Sequence, residues 1–293
     1  MALKIAILGD IVGTAGRQAL VSAMPALREE WGAHLVVANA ENAANGSGIS
    51  PEIYRKLKDA GVDGITLGDH AFRKQQIYAT LGSQPDIIRP LNLPEKARGR
   101  GCMTLEAKDD QGQAVSVHVV TLIGQLFMTN MRGSDAFSAV DEQLARLRAR
   151  RDADPGVVLV EMHAEATSEK VAMGWHLNGR AACVFGTHTH VPTADARLLP
   201  KPGEDPTLPG EPWLGVGQTA YITDLGMTGP YDSVLGRQAD RVVKHLTTGM
   251  PAAFDVAEGG SRVCGVLVTI NPASGLSTAV ERIDIAIALN RSQ

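Results

Sequence analysis

The sequence predicts an α/β fold, and three observations support this prediction. Apolar runs of strand length recur along the chain, the first two at residues 3–9 and 35–40. Most residues of these runs are apolar, with Lys4 and Asn39 as the exceptions, and they do not alternate with polar residues. This is typical of strands that are buried on both faces of a parallel sheet. Segments with helix start and stop signals separate the runs. We therefore expect strands and helices to alternate, as they do in βαβ units.

The first ninety residues contain the clearest elements of this kind. Residues 16–31 favour a helix, which Pro25 would kink or restart. Ser50 is a suitable N-cap and Pro51 a suitable first helical residue, so a second helix is predicted to begin there. Gly61 is predicted to end that helix, because glycine readily adopts the left-handed conformation that follows many helices.

The rest of the chain predicts further elements. They are a β-hairpin of residues 102–107 and 114–122, a loop at 124–134, an amphipathic helix at 136–150, strands ending near 163 and 187, a proline-rich surface loop at 199–217 and two β runs at 262–270 and 277–285. The loop at 124–134 has no clear period, and we expect it to overhang a functional site. Because no linker divides the sequence, we expect residues 1–293 to form one domain built on two sheets.

Composition and charge exclude several classes of protein. The chain has 293 residues, of which 44% are hydrophobic and 20% charged, an ordinary composition for a globular protein. The net charge of −4 and the absence of a long Lys/Arg run argue against binding to duplex nucleic acid. An aromatic content of 4% argues against a stacking surface for single strands.

Cysteine usage and hydropathy bear on location. Cys102, Cys183 and Cys264 are far apart and form no CxxC pair, so no disulfide framework is predicted. The sequence has no apolar stretch long enough to span a bilayer, and no secretory signal precedes the first predicted strand. We therefore expect a cytoplasmic protein that does not bind membranes.

Side chains that can bind a metal follow five of the predicted strands. Because ligands bind beyond the carboxyl ends of strands in open α/β sheets, donors repeated at that point predict one shared site. The candidate metal ligands are Asp10, Glu41, Asn42, Asp69, His163, His188 and His190. His188 and His190 are two residues apart, so an extended backbone would point both imidazoles the same way. The alternative for this pair is two exposed or core histidines with no ligand role.

The donor set indicates which metals and reactions fit. Seven donors are too many for one tetrahedral zinc ion, whereas two ions that share a bridging carboxylate would use all of them. Carboxylate oxygen mixed with imidazole suits Fe, Mn, Zn or Mg. Paired metal ions of this kind act on both oxygens of a phosphoryl displacement.

His70 directly follows Asp69 and is the candidate catalytic residue. Neighbouring residues at a strand end point apart, so His70 is expected to face a substrate and to protonate the leaving oxygen. The alternative is a loop histidine that caps a helix.

With these residues the chain resembles the bacterial YmdB-type metallophosphoesterases, a branch of the calcineurin-like superfamily. The similarity extends over nearly the whole sequence. The most specific stretches are residues 9–13 (GDIVG), 41–46 (ENAANG), 163–170 (HAEATSEK), 186–191 (GTHTHV) and 223–230 (TDLGMTGP).

The resemblance implies a calcineurin-like α/β sandwich, with two β-sheets flanked by helices. It also implies two metal ions, for which iron or manganese is the first expectation and zinc or magnesium the second. By position, one ion would be held by Asp10, Asn42 and His190, the other by Asp69, His163 and His188, with Glu41 bridging and His70 catalytic. The implied enzyme is a phosphoric diester hydrolase for cyclic nucleotides, the 2′,3′-cyclic ones first and 3′,5′-cyclic ones as further candidates. A hydroxide held by the two metals would attack phosphorus, while His70 assists the leaving group.

One position departs from the family pattern. The family has Asn before the catalytic histidine, whereas this chain has Asp69, and Ala71, Phe72 and Arg73 replace the usual aromatic and acidic residues. An Asp binds metal more strongly, lowers the charge of the site by one and removes an NH₂ donor. Arg73 either restores positive charge near the site or occupies a surface helix position.

Three other functions remain open. The same site could serve a phosphomonoesterase, or the chain could be a catalytically weak regulatory protein that binds metal. A metal-free nucleotide-binding module is disfavoured, because acidic strand ends oppose phosphate. We expect a small-molecule phosphoester as the ligand and a homo-oligomer as the assembly.

Overall fold

Two β-sheets pack face to face, and helices cover their outer faces. The computed structural model describes residues 1–149, 156–200 and 218–288. Within these ranges the sheets have eight and six strands. The predicted two-sheet α/β sandwich is confirmed.

The eight-stranded sheet contains strands from both ends of the chain. Its strands are β1 (Leu3–Leu8), β2 (Asp10–Ile11), β3 (Leu35–Asn39), β4 (Gly64–Thr66), β5 (Ile87–Ile88), β12 (Met227–Pro230), β13 (Ser261–Asn271) and β14 (Leu276–Ala286). Seven of them follow the order β2-β12-β13-β1-β3-β4-β5, and β14 pairs with β13. Strands β1, β3, β4 and β5 are parallel, whereas β13 is antiparallel to β1, β12 and β14.

The six-stranded sheet is built from the middle of the chain. Its strands are β6 (Cys102–Lys108), β7 (Ala114–Ile123), β8 (Val157–His163), β9 (Cys183–Thr187), β10 (Arg197–Leu198) and β11 (Ala220–Ile222). The order is β10-β11-β9-β8-β7-β6, with β7, β8, β9 and β11 parallel. Strands β6 and β7 are antiparallel neighbours, which confirms the predicted hairpin.

Six helices connect or flank the strands in the described ranges. They are α1 (Gly13–Glu29), α2 (Pro51–Asp59), α3 (Ile77–Ser83), α4 (Ala136–Ala149), α5 (Thr167–His176) and α6 (Ala239–Thr248). Helix α1 begins at Gly13, before the predicted start, and continues through Pro25. Gly61 follows α2 with φ of +99°, as predicted. The predicted helix residue 150 and most of the predicted loop at 199–217 lie outside the described residues.

The apolar side chains form three layers. Ile5 and Ile7 of β1 face the other sheet and pack in one cluster with Phe185. The alternate residues Ala6 and Leu8 face the opposite way, into the cluster under α1, α2 and α3. A third cluster lies between the six-stranded sheet and helices α4 and α5. Five of the six residues of β1 are apolar and buried, as expected for a strand that is covered on both faces; Lys4 is the exception.

Two further observations concern the described residues. None of their helices combines the length and the apolar character that a membrane crossing requires. All three cysteines of the chain are described, and none of them forms a disulfide bond.

The start of α2 generates a stability prediction. The Ser50 hydroxyl accepts a hydrogen bond from the backbone N–H of Ile53 at 3.2 Å. Ser50→Ala removes this cap and should lower the free energy of unfolding by about 1 kcal/mol in urea denaturation. Ser83→Ala is the control, because the Ser83 hydroxyl is exposed and donates only within its own helix; it should change stability by less than about 0.5 kcal/mol. Equal effects of the two variants would contradict the capping role.

Candidate metal centre

The carboxyl ends of strands from both sheets meet at one place, and all seven predicted donors lie there. The eight-stranded sheet and its loops supply four, and the six-stranded sheet and the loop after β9 supply three. The side chains are buried or nearly so: Asp10, Glu41, Asn42, Asp69, His163, His188 and His190.

Four of these side chains surround a common point. Glu41, Asp69, His163 and His188 each offer one ligating atom, and these atoms all lie within 4.8 Å of one another. His163 Nε2 is 3.1 Å from Asp69 Oδ1 and 3.3 Å from Glu41 Oε1. His188 Nδ1 is 3.2 Å from His163 Nε2. This group contains the three residues predicted for one metal, together with Glu41.

The other three predicted ligands form a second group beside the first. Asn42 Nδ2 lies 3.1 Å from His190 Nε2 and 3.5 Å from Asp10 Oδ1. His190 Nε2 lies 3.8 Å from Asp10 Oδ1. Asn42 Nδ2 is also 3.4 Å from Glu41 Oε1, so Glu41 lies between the two groups. This position agrees with the bridging role expected of Glu41.

The electrostatics of the site show a shortage of positive charge. Burial raises the pKa of Asp10 to about 8. The charge of His163 lowers this pKa, whereas the Glu41 carboxylate raises it further. Burial also opposes the charge of Asp69, but hydrogen bonds from His163 and His188 outweigh it and hold the Asp69 pKa below its usual range. Burial would lower the pKa of His163, yet Glu41 and Asp69 raise it well above its usual value. Three buried acidic side chains thus lie close to His163, and Glu41 and Asp69 raise its pKa.

The residues present fit metal ions. Carboxylate oxygens, imidazole nitrogens and one amide are donors that Fe, Mn, Zn and Mg accept in proteins. Burial lowers the pKa of His190, which favours the neutral imidazole that a metal requires. The Asn42 amide turns its NH₂ toward His190 and its oxygen toward His70. For oxygen coordination the amide would rotate by about 180°, and its NH₂ would then face His70.

A glycine makes room for this cluster. A Cβ atom on Gly68 would overlap the His163 imidazole, far inside van der Waals contact. The close approach of the Asp69 loop to β8 therefore requires glycine at this position.

The loop that carries His188 and His190 corrects the sequence analysis. The expectation of extended backbone was wrong, because φ is +97° at His188 and +64° at His190. Asp224 accepts hydrogen bonds from the backbone N–H and the hydroxyl of Thr189, and this bends the loop. Lys170 Nζ donates to the same Asp224 oxygen at 2.7 Å, and both side chains are 1% exposed. The two imidazoles consequently reach different groups of the site.

The buried Glu161 carboxylate orients the His163 imidazole through the Thr187 hydroxyl. His163 Nδ1 lies 2.9 Å from Thr187 Oγ1, and the Thr187 hydroxyl donates to Glu161 Oε1 at 2.6 Å. Asn39 Nδ2 and the Thr121 hydroxyl also donate to Glu161, which is fully buried. Because Thr187 gives its own proton to Glu161, it accepts the proton on His163 Nδ1. The Nε2 atom is then the one available to a metal.

The outer nitrogens of the other two imidazoles are also engaged. His188 Nε2 is 3.2 Å from Glu165 Oε2, and His190 Nδ1 donates to the backbone oxygen of Leu235 at 3.1 Å. In each case the second nitrogen faces the site. Leu235 has φ of +53°, an uncommon conformation for leucine that is typical of constrained functional loops.

Sequence analysis missed these supporting residues. Glu161, Thr187, Glu165, Lys170 and Asp224 were given no role, although four of them lie in the motifs quoted for the family resemblance. The available signal was an acidic residue inside an apolar strand, as at Glu161. Their contacts join distant parts of the sequence, so spacing alone did not reveal them.

His70 lies beside the ligands and outside the four-residue cluster. Its Nδ1 is 2.9 Å from Asn42 Oδ1, and its Nε2 is 3.7 Å from Asp69 Oδ2. The backbone N–H of His70 donates to Glu41 Oε2 at 2.9 Å. The side chain lines an open cavity of about 300 Å³. The other residues lining the cavity are Glu41, Asn42, Gly46, Glu165, His188, Thr189, His190, Leu235 and Arg237.

Comparisons with known proteins find relatives that match nearly the whole chain. A 2′,3′-cyclic-nucleotide 2′-phosphodiesterase of Bacillus subtilis is 37% identical over 281 residues, which cover 96% of each chain. The structure of a hypothetical protein from Thermus thermophilus superposes with a TM-score of 0.80 at 36% identity, covering 97% of this chain and 99% of the other. A phosphatase structure from Mycoplasma pneumoniae gives a TM-score of 0.83 at 31% identity, covering 98% and 94%.

The match to a family model covers nearly the whole sequence. The model is described as YmdB-like protein and matches residues 6–283, a range that includes every predicted ligand and His70. The chain therefore belongs to the YmdB-like family.

Proposed function

We propose that this chain is a metal-dependent phosphodiesterase that hydrolyses cyclic nucleotides at a dinuclear site. The observation that supports it best is the convergence of seven oxygen and nitrogen donors in two groups that share Glu41. The Bacillus subtilis relative is named for 2′,3′-cyclic nucleotides, and we propose the same substrate class here. We include 3′,5′-cyclic nucleotides as further candidate substrates.

Each group of donors would hold one ion. We assign Asp10, Asn42 and His190 to one ion and Asp69, His163 and His188 to the other, with Glu41 shared. Iron or manganese is the proposed pair, while zinc and magnesium also suit the donors. Bound ions would lower the pKa of a water and neutralise charge on the phosphoryl oxygens.

His70 is the proposed catalytic residue. It lines the cavity and does not belong to the four-residue cluster, so its Nε2 is free to meet a substrate. With the Asn42 amide turned for coordination, His70 Nδ1 accepts from that NH₂ and Nε2 carries the proton. His70 would give this proton to the leaving oxygen when the ester bond breaks.

The cavity rim suits a small anionic substrate. The Arg237 guanidinium lines the cavity and donates to the backbone oxygens of Asn45 and Phe254. Its hydrogen bonds in the described residues go to backbone oxygens, and Asp255 is the acid that acts on it electrostatically. We propose that this cation attracts an anionic substrate to the rim. Leu235 is half-exposed at the same rim and offers an apolar contact for a nucleoside.

The wider organisation belongs to the same proposal. We propose one domain over residues 1–293, because β13 and β14, which follow the six-stranded sheet in the sequence, complete the sheet that begins with β1. We propose a cytoplasmic location, with which the lack of disulfide bonds among the three described cysteines is compatible.

Metal removal is the direct test of this function. Protein treated with a chelator should lose hydrolysis of bis(p-nitrophenyl) phosphate and regain it with Mn²⁺ or Fe²⁺. Glu41→Ala should lower the restored rate by more than about 100-fold, because both groups of donors lose their shared carboxylate. Glu52→Ala, which removes an exposed acid on α2, is the control and should keep full activity. Activity that survives chelation would reject the proposal.

The same assay separates the alternative functions. A higher rate on p-nitrophenyl phosphate than on the diester would favour a phosphomonoesterase. Metal found by elemental analysis without hydrolysis of either ester would favour a regulatory protein.

The role of His70 predicts a dependence on the leaving group. His70→Gln should reduce kcat about 10²- to 10⁴-fold for a 2′,3′-cyclic nucleotide, whose leaving alkoxide needs a proton. For bis(p-nitrophenyl) phosphate the loss should be much smaller, since nitrophenolate leaves without protonation. Bound metal should be unchanged. Equal losses on both substrates would contradict the general-acid role.

Self-association is the last part of the proposal. Helix α6 has no buried residue, and it exposes Val243 and Leu246 beside Met250 and Phe254. Exposed apolar patches of this kind often mark protein–protein contacts. Light scattering should give a mass above the 31.0 kDa of one chain, and Leu246→Glu should reduce it. A monomer at working concentrations would contradict the expectation.

A further inference from the structure

The two oxygens of Asp69 face different surroundings. Oδ1 faces the site, 3.1 Å from His163 Nε2 and 3.5 Å from His188 Nδ1. Oδ2 faces the loop at 124–134 and accepts a hydrogen bond from Asn130 Nδ2 at 2.7 Å. The loop therefore contacts a candidate metal ligand directly.

The Asn130 amide is held at its other end by a cation. Arg73 Nη2 donates to Asn130 Oδ1 at 3.0 Å. A guanidinium can only donate and an ionised carboxylate can only accept, whereas an amide has one end of each kind. The three side chains thus form a chain of hydrogen bonds with a single direction, from Arg73 through Asn130 to Asp69.

We infer that Asn130 is a positioning residue for Asp69, and that Arg73 fixes the direction of its amide. By occupying Oδ2, Asn130 leaves Oδ1 as the oxygen that faces His163 and His188. The inference rests on the proposed metal site and concerns how that site accommodates an acid at position 69.

The burial of the three side chains indicates which of the two hydrogen bonds contributes more to positioning Asp69. Asp69 is 4% exposed, so the acceptor end of its partly buried hydrogen bond from Asn130 is shielded from water. Asn130 and Arg73 are exposed, so the bond between them competes with water and contributes less. Loss of Asn130 should therefore weaken metal binding more than loss of Arg73.

The direction of the hydrogen bonds makes positions 69 and 130 interdependent. Asn130→Asp alone places two carboxylates against each other. Asp69→Asn alone places an NH₂ group against the NH₂ of Asn130. The Asn130 amide can avoid this contact only by turning its NH₂ toward Arg73, which is also a donor. With both substitutions, the new carboxylate at position 130 accepts from Arg73 and from the new amide at position 69. Asn130→Asp should therefore weaken metal binding when position 69 is Asp and strengthen it when position 69 is Asn.

The test is a double-mutant cycle on Mn²⁺ affinity, measured by calorimetry on the metal-stripped protein without substrate. Asn130→Asp should weaken Mn²⁺ binding about tenfold in the otherwise native chain and strengthen it several-fold in the Asp69→Asn background. Asn130→Ala should weaken binding about tenfold, and Arg73→Ala by less.

A charge control makes the cycle specific. Gln111→Glu adds the same charge at the exposed turn between β6 and β7, and it should change affinity less than about twofold in both backgrounds. Melting temperatures of the metal-free proteins should agree within a few degrees, which separates positioning from folding.

Each outcome decides the inference. An effect of Asn130→Asp that has the same sign in both backgrounds would overturn it, and so would an unchanged affinity of Asn130→Ala. Native protein that binds Mn²⁺ and shows the sign reversal, but hydrolyses no phosphoester, would support the positioning role while rejecting the proposed function. Native protein that binds no Mn²⁺ would overturn both.

Discussion

Negative charge buried between two sheets is the constraint on which the rest of this structure depends. Asp10, Glu41, Asp69 and Glu161 are each at most 4% exposed and lie within a few residues of strand ends. Buried carboxylates are destabilising by several kcal/mol each unless they are paired or hydrogen-bonded. The surrounding chain supplies imidazoles, amides and hydroxyls to them, and metal ions would complete the compensation. The acidity of the site and its capacity for cations have the same origin.

Glu161 shows how this constraint joins the two layers. It lies in the six-stranded sheet, yet Asn39 reaches it from the end of β3 in the other sheet at 2.7 Å. Thr121 and Thr187 on the neighbouring strands complete its hydrogen bonds. A displacement of one sheet against the other would remove the hydrogen bond from Asn39 to this buried carboxylate. Glu161 consequently contributes both to the contact between the sheets and to the orientation of His163.

The donors at the strand ends could be predicted from the sequence because each follows a local apolar run. The start of α2 could also be predicted, because Ser50 and Pro51 are a typical N-cap and first helical residue. The curled loop at His188 could not be predicted, because its conformation depends on Asp224, 35 positions from Thr189. The contact between Asn39 and Glu161 joins residues 122 positions apart, and only the folded sheets bring them together. Local patterns thus predicted which side chains lie together at the candidate site, while tertiary contacts decide how each is held.

The distribution of the ligands has a consequence for biosynthesis. Asp10 and His188 meet across 178 positions, and β13, which lies next to β1, follows all the ligands in the sequence. The sheet that carries Asp10, Glu41 and Asp69 is therefore complete only after β13 has left the ribosome, and we expect the proposed cations to bind after that point. Because a ligand that binds only the native state stabilises that state by mass action, late capture would act as a final selection for correctly assembled molecules.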